Sequence, residues 1–301
     1  MAAPPSPLIA TLANPPSPLI ATLATKHSLP DLRIFLKTLQ LWNSAAPPKI
    51  YIFTDTIVAD AIPSIGYEGE IVVNETLDEY SNYTRADMER LPGVGGNLFF
   101  QFTLEKIKLL EWVFETETVA VSQGVFFFDA DICFLGQLPN VPATATVGLS
   151  KHYIRQADES RYGKYNAGFI WIRDPRALEV WRTACGTSRF FEQAALECFD
   201  EPEWADAVYS FPIQNNYGWW RLFQGEKSPE ELRLGWRIHR AQGHAGLLVQ
   251  NSPLLSIHTH WITADPTTQM FNSFVSGILR TLSNSHVPAK RLLRILADSS
   301  K

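Results

Sequence analysis

The sequence has few cysteines, no excess of basic residues and no long apolar run, and each absence excludes a class of protein. Its three cysteines, Cys133, Cys185 and Cys198, have spacings that fit neither a zinc site nor a disulfide framework. No stretch is long and apolar enough to cross a membrane, and no basic-then-apolar signal peptide is present. These absences predict a soluble, cytoplasmic protein with reduced thiols and no membrane span.

The charge balance argues against a nucleic-acid partner. The chain has 26 Lys and Arg against 31 Asp and Glu, which gives a formal net charge of −5. A nucleic-acid binder normally has a basic face, and no basic stripe offsets this balance. At 301 residues, with 46% hydrophobic and 19% charged residues, the chain has the composition of a globular protein with an ample core.

The N-terminal region contains a tandem duplication. The ten residues 4–13 recur unchanged as residues 15–24. A single repeat is too little for a solenoid, which needs about three units. Because helix-like sequence follows the second copy directly, we expect the second copy to supply the first strand. The sequence thus predicts a mobile extension over residues 1–16 and one domain over residues 17–301.

Alternating strand and helix patterns follow the duplication. Short, mostly apolar runs are predicted as strands near residues 19–25, 49–55, 70–74, 125–128, 144–149, 167–172 and 254–257. Helical periodicity is predicted near residues 30–41, 104–114, 175–184, 190–199, 270–282 and 288–297. The polar residues 151–164 between two strands are predicted as a mobile surface loop. Strands that alternate with helices predict an α/β fold with an open, mostly parallel twisted sheet and helices on both faces.

Two carboxylates end the most apolar of these strands. The run from Val125 to Phe128 is typical of a buried central strand, and Asp129 and Asp131 follow it directly. Residues two apart on an extended chain point the same way, so both carboxylates can face one hard divalent cation. The alternative is a strand-end turn with two solvated aspartates.

Four segments, in this order, resemble the GT-A glycosyltransferases, in particular the glycogenin-like and related nucleotide-diphospho-sugar transferases. They are Phe-Phe-Phe-Asp-Ala-Asp (126–131), Tyr-Asn-Ala-Gly-Phe (165–169), Phe-Glu-Gln-Ala-Ala-Leu (191–196) and Ser-Ile-His-Thr-His-Trp (256–261). The first strand and the Phe-Thr-Asp strand end at 53–55 also fit the nucleotide-binding half of that fold. The resemblance covers most of the chain, from about residue 19 to residue 261.

The resemblance implies a metal site and a donor site. Asp129 and Asp131 would hold Mn²⁺ or Mg²⁺ with one late histidine, for which His258 is favoured over His260. The same likeness implies a lysine for the diphosphate, either Lys106 or Lys108, with Lys108 favoured. The residues implied to bind the donor are Thr22, Ala24, Thr25, Asp55, Lys108, Asp129, Ala130, Asp131, Asn166, Ala167 and Gly168.

Catalytic residues are implied in the same way, whereas the acceptor candidates come from the aromatic cluster at residues 217–221. Glu192 and Gln193 match the family's acidic-residue-then-Gln motif and would act near the anomeric carbon, although Glu192 could equally be a solvated residue of a first helical turn. Trp219 and Trp220 are the acceptor candidates because aromatic faces stack on sugars; the alternative is an aromatic core patch.

The predicted function is metal-dependent transfer of a hexose or pentose from a nucleoside diphosphate sugar, with UDP favoured, to a hydroxyl of a glycan or glycoprotein. One alternative is a haloacid-dehalogenase-type phosphatase, in which Asp129 would be the nucleophile. The continuation Ile132-Cys133 and the mid-chain position of the motif disfavour it. Another alternative is a sugar-nucleotide-binding protein without turnover.

Overall fold

The computed structural model describes residues 18–117, 123–225, 228–240 and 243–299. The extension predicted over residues 1–16 lies outside these ranges, so its mobility stays a prediction. Within the described ranges, no helix is both long and apolar enough to cross a bilayer.

Short strands and helices alternate along the chain. The strands are β1 (Leu19–Ala24), β2 (Ile50–Thr54), β3 (Ile71–Glu75), β4 (Pro92–Gly93), β5 (Gly96–Asn97), β6 (Val125–Phe128), β7 (Ile132–Phe134), β8 (Val147–Lys151), β9 (Tyr165–Ile172), β10 (Val208–Phe211), β11 (Tyr217–Gly218), β12 (Trp236–Ile238), β13 (Leu247–Val249), β14 (Ser252–Pro253) and β15 (Ser256–His258). The α-helices are α1 (Leu29–Trp42), α2 (Thr56–Ile65), α3 (Arg85–Arg90), α4 (Leu98–Thr116), α5 (Gln156–Tyr162), α6 (Arg176–Cys185), α7 (Phe191–Ala195), α8 (Arg221–Gln224), α9 (Pro229–Leu234), α10 (Pro266–Ser283) and α11 (Val287–Asp298).

Seven strands form the main sheet in the order β10-β8-β9-β6-β1-β2-β3. The pairs β1–β2, β1–β6, β2–β3 and β8–β10 are parallel, whereas β9 runs antiparallel to both β6 and β8. The predicted α/β class and mostly parallel sheet are therefore confirmed. The strand β6, which precedes Asp129, is central and completely buried.

One hydrophobic core lies on each face of the main sheet, and the central strands contribute alternate residues to the two cores. In β6, Val125 and Phe127 pack with α4 and α6 on one face, whereas Phe126 and Phe128 pack with α1 and α10 on the other. This alternation follows from the two-residue period of a strand. It also confirms that helices cover both faces.

A small second sheet joins two distant parts of the chain. Its strand order is β11-β15-β7, and β15 pairs antiparallel with β7 so that His258 lies opposite Ile132. Because β7 begins one residue after Asp131, this pairing brings the late histidines to the two aspartates.

The segment predicted as a mobile loop, residues 151–164, is different in the structure. It contains the helix α5, and its two ends are joined by β-pairing of Lys151 with Tyr165 and by a 3.0 Å hydrogen bond from the His152 amide to the Lys164 carbonyl. The prediction of a loop was wrong because the polar composition of an exposed helix resembles that of a loop.

Candidate active site

Two carboxylates and an imidazole meet at the carboxyl end of β6. The Nε2 atom of His258 lies 3.0 Å from Oδ1 of Asp131 and 3.8 Å from Oδ2 of Asp129. One ligand atom from each of the three residues lies within 4.8 Å of the other two. His258 and Asp131 are buried, and Asp129 is about one-third exposed.

Backbone hydrogen bonds fix the turn between the two aspartates. The amide of Asp129 donates to the Gly168 carbonyl on β9 at 2.9 Å, and the amide of Ile132 donates back to the Asp129 carbonyl at 3.1 Å. The amide of Thr259 donates to the Asp131 carbonyl at 3.1 Å, which anchors the end of β15. Neighbouring strands thus hold all three side chains.

Gly168 allows these side chains to converge. A Cβ atom at this position would lie 2.2 Å from Oδ2 of Asp129 and 2.5 Å from Cε1 of His258. Any larger residue would therefore displace one of them.

The three residues fit a divalent cation of the Mn²⁺ or Mg²⁺ type. Carboxylate oxygens are the ligands that these hard cations prefer, and Mn²⁺ also accepts imidazole. Burial alone raises the pKa of Asp131, but the neighbouring His258 and His260 outweigh it and hold this pKa well below its usual range. The carboxylate of Asp131 therefore stays ionised.

His260, the alternative ligand, also contacts Asp131. Its Nε2 atom lies 3.4 Å from Oδ2 of Asp131, and its Nδ1 atom lies 2.9 Å from Oδ2 of Asp31. The carboxylate of Asp131 raises the pKa of His260 to about 9 against the opposing effect of burial, with help from Asp31. Of the two histidines, His258 is the one that has a ring nitrogen within 4.8 Å of a carboxylate oxygen of each aspartate in the candidate metal group.

A buried lysine lies beside the three ligands. The Nζ atom of Lys106 lies 3.1 Å from Oδ1 of Asp129 and 2.9 Å from Oε1 of Glu192. It also lies 3.4 Å from the Ala167 carbonyl, to which it donates. Burial lowers the pKa of Lys106, but the charges of Asp129 and Glu192 more than offset this effect and raise it.

The favoured lysine of the sequence prediction, Lys108, is not brought to this site. Its side chain is half exposed and pairs with Glu105 at 2.6 Å. On a helix, residues two apart point about 200° apart. Lys106 and Lys108 of α4 therefore lie on nearly opposite faces, and the structure selects Lys106.

A cavity of about 300 Å³ opens over Asp129, Asp131, Lys106, Glu192 and Gln193. Ala130, Thr25 and His260 also line it. Further lining residues, to which the sequence analysis assigned no role, are Leu23, His27, Ser28, Tyr83, Arg85, Met88, Phe99, Phe102, Thr103, Phe190 and Phe191. The aromatic side chains of this lining have a signal in the sequence, because two phenylalanines directly precede Glu192 and others lie in the first turns of α4.

Glu192 follows a residue in the left-handed region. Phe191 has a φ of +44°, which is uncommon for a residue with a bulky side chain. The first turn of α7 then directs Glu192, which is 4% exposed, towards Lys106. The side-chain amide of Gln193 donates to the Tyr162 carbonyl at 2.8 Å.

Several predicted donor residues lie outside the cavity lining. Thr22 and Ala24 are buried within β1, and Ala167 and Gly168 lie in β9 behind the aspartates. Asp55 is fully buried and caps α2, where Oδ1 accepts from the Val58 amide at 2.9 Å.

The remaining predicted donor residue, Asn166, hydrogen-bonds to protein groups. Its Oδ1 atom accepts from the Gly168 amide at 3.1 Å and from the Asn216 side chain at 3.0 Å. It lies behind the cavity, where it is 6% exposed.

The two tryptophans predicted to bind the acceptor also lie behind the metal-ligand cluster. The ring of Trp220 packs edge-on against His258 and His152, with centroid distances of 5.1 and 5.3 Å. The backbone amide of Trp219 donates to the His258 carbonyl at 3.1 Å. Neither lines the cavity over Glu192, so this placement does not favour direct acceptor contact.

Sequence comparison gives no relative: no family model matches the chain, and no curated protein matches it significantly. The fold does match solved structures. The galactosyltransferase LgtC, in complex with donor and acceptor sugar analogs, superposes with a TM-score of 0.51 and 12% identity over 85% of this chain and 94% of its own. An active-site mutant of LgtC gives a TM-score of 0.50 and 12% identity over 86% and 95%. The glycosyltransferase GlyE from Streptococcus pneumoniae TIGR4 superposes with a TM-score of 0.46 and 14% identity, over 83% of this chain and 56% of its own. This chain therefore has the GT-A fold that its four sequence segments predicted.

Proposed function

We propose that this chain is a metal-dependent glycosyltransferase that moves a sugar from a nucleoside diphosphate donor to an acceptor hydroxyl. One observation carries the proposal. Asp129, Asp131 and a buried lysine–glutamate pair line a single cavity of a GT-A fold, and the buried His258 completes with the two aspartates a group that fits one cation. Ligands of open α/β sheets bind outside the carboxyl ends of the strands, where this cavity lies.

Asp129, Asp131 and His258 would hold Mn²⁺ or Mg²⁺. The bound ion would offset the negative charge that the diphosphate gains as the bond to the sugar breaks. Lys106 contacts Oδ1 of Asp129 at 3.1 Å, whereas His258 lies nearer to Oδ2. Lys106 thereby fixes the carboxylate that the cation needs.

Glu192 and Gln193 would act at the sugar. Both line the cavity, and Glu192 is held at 2.9 Å by Lys106. A carboxylate so placed can orient the acceptor hydroxyl or accept its proton. The aromatic side chains of the lining, which include Tyr83 and Phe99, offer apolar faces on which sugar or nucleobase rings can stack.

Thr25 and Ala130 would contact the donor, because both line the cavity next to the aspartates. A UDP-sugar is our favoured donor and a glycan or glycoprotein our favoured acceptor, as the sequence resemblance implies. LgtC was solved with donor and acceptor sugar analogs, which supports a cavity that serves both substrates. Lys108 has no part in the proposal.

The test is release of nucleoside diphosphate from a panel of UDP- and GDP-sugars, each with Mn²⁺, with Mg²⁺ and with a chelator. We expect release from one donor, only with metal, and a loss of about 100-fold or more in Asp131→Ala, because a metal supplies several kcal/mol to such a step. Substantial metal-free turnover would contradict the metal assignment. Binding without release would favour the non-catalytic alternative. Phosphate release from a phosphomonoester would favour the phosphatase, which the GT-A fold does not support.

A further inference from the structure

The side-chain amide of Asn166 can adopt only one orientation. Its Oδ1 atom lies 3.1 Å from the backbone amide of Gly168, which can only donate. Its Nδ2 atom lies 3.4 Å from Nε2 of His152. The Nδ1 atom of His152 lies 3.0 Å from the Gly163 carbonyl, which can only accept, so Nδ1 carries the proton. Burial lowers the pKa of His152 to about 4, so the ring is neutral and its Nε2 accepts. Both ends of Asn166 therefore impose the same orientation.

This orientation fixes that of Asn216. The Nδ2 atom of Asn216 lies 3.0 Å from Oδ1 of Asn166, and this amide carbonyl oxygen can only accept. The carbonyl end of Asn216 must therefore point the other way, where its Oδ1 atom lies 3.2 Å from Nδ1 of His258. Asn216 is 2% exposed, so bulk water does not compete for these bonds.

The orientation of Asn216 in turn fixes the tautomer of His258. Since Oδ1 of Asn216 accepts, Nδ1 of His258 carries a proton. The lone pair of a neutral ring is then on Nε2, the nitrogen that faces Asp131 at 3.0 Å and Asp129 at 3.8 Å. An unprotonated Nε2 and the two carboxylates present lone pairs to one another, and this arrangement needs a positive charge between them, either a proton on Nε2 or the proposed cation.

We propose that Asn216, oriented by Asn166, is a positioning residue that prepares His258 as a metal ligand. This inference rests on the proposed function, because the cation is the one proposed there. The backbone amide of Gly168, which can only donate, sets the donor and acceptor roles along this series of hydrogen bonds. Gly168 thus does two things: it leaves room for Asp129 and His258, and it decides through two asparagines which nitrogen of His258 is free.

The first test is the affinity for Mn²⁺ alone, measured by electron paramagnetic resonance of the free ion. Asn216→Leu removes the acceptor of the Nδ1 proton at similar volume, and we expect the Kd for Mn²⁺ to rise 10- to 100-fold. The matched control is Gln214→Leu. Gln214 is also buried, and its side-chain amide donates to the Val249 carbonyl at 2.8 Å. We expect this control to leave the Kd unchanged.

The second test observes the wild-type ring of His258 directly. In the Mg²⁺-loaded protein, ¹⁵N NMR of His258, assigned with His258→Gln, should show a protonated Nδ1 and an unprotonated Nε2. A proton on Nε2 overturns the inference, and so does a folded Asn216→Leu that binds Mn²⁺ within twofold of the wild type. These outcomes leave the proposed function standing. A wild-type protein that binds no Mn²⁺ overturns both.

Discussion

At the scale of single residues, Lys106 shows what helical spacing could have revealed. Thr103, Leu110 and Val113 lie three, four and seven positions from it and are all buried, so Lys106 belongs to the buried stripe of α4. The sequence resemblance alone could not choose between Lys106 and Lys108. The stripe distinguishes them, because a lysine on a buried face needs an anionic partner. Which partner it has depends on Asp129 and Glu192, which are distant in the sequence.

Lys106→Met should abolish most transfer, whereas Lys108→Met should not. The first change leaves Asp129 and Glu192 facing each other without their shared cation. We expect turnover to fall roughly 100-fold and the free energy of unfolding to fall by about 3–5 kcal/mol. Steady-state rates and thermal melting of both variants provide the measurement. Equal rates in the two variants would contradict the placement of Lys106 at the reaction centre.

His152 should make the protein less stable in mild acid. Its pKa is about 4 in the folded protein and about 6.5 when exposed, because burial disfavours the charged ring. Between these pH values the unfolded chain binds more protons than the folded one, so the free energy of unfolding falls as the pH decreases from 6.5 to 4. The lowered pKa of His152 corresponds to a loss of up to about 3 kcal/mol in the free energy of unfolding.

Urea unfolding of the wild type and of His152→Gln at pH 7 and pH 5 measures this contribution. The glutamine variant cannot titrate, so its stability should change less between the two pH values. An identical pH dependence in both proteins would show that other groups account for the acid sensitivity.

At the scale of elements, residues that face a packed core were the easiest to predict. The strand Val125–Phe128 was predicted to the residue, because an apolar run between two turns has few other interpretations. The helix α2 was missed, since Pro63 within it reads as a helix breaker. The strand β15 was predicted, but not its pairing with β7. That pairing joins segments more than 120 residues apart, and local patterns contain no information about it.

Asp55→Ala should cost more stability than the loss of an ordinary helix cap. Besides capping α2, its Oδ2 atom accepts hydrogen bonds from the Lys26 amide and the Ser81 hydroxyl, both at 2.7 Å. Loss of three bonds at a fully buried carboxylate should lower the free energy of unfolding by about 3 kcal/mol. Denaturant titration checks this value.

The matched control for Asp55 is Thr84→Ala, which removes the exposed cap of α3. Only about 1 kcal/mol should be lost there. If the two variants lose the same stability, the hydrogen bonds from Lys26 and Ser81 contribute nothing beyond the cap.

At the scale of the whole molecule, the duplicated segment provides a direct test of domain organisation. The second copy supplies β1, whose pairings with β2 and β6 place it in the middle of the main sheet. We therefore expect deletion of residues 2–14 to leave the melting temperature within about 2 °C of the full chain, since every core residue that the structure describes is kept. Calorimetry of both proteins measures the difference. A much larger drop would mean that the first copy also stabilises the fold.

The pairing of β15 with β7 has a consequence for synthesis of the chain. Asp129 and Asp131 emerge from the ribosome long before His258, and contacts between such distant segments form late in folding because closing a long loop is slow. A nascent or prematurely terminated chain that stops before β15 lacks His258, the proposed third ligand, however well its main sheet has formed. Capture of the proposed cation would then require synthesis of the chain through β15.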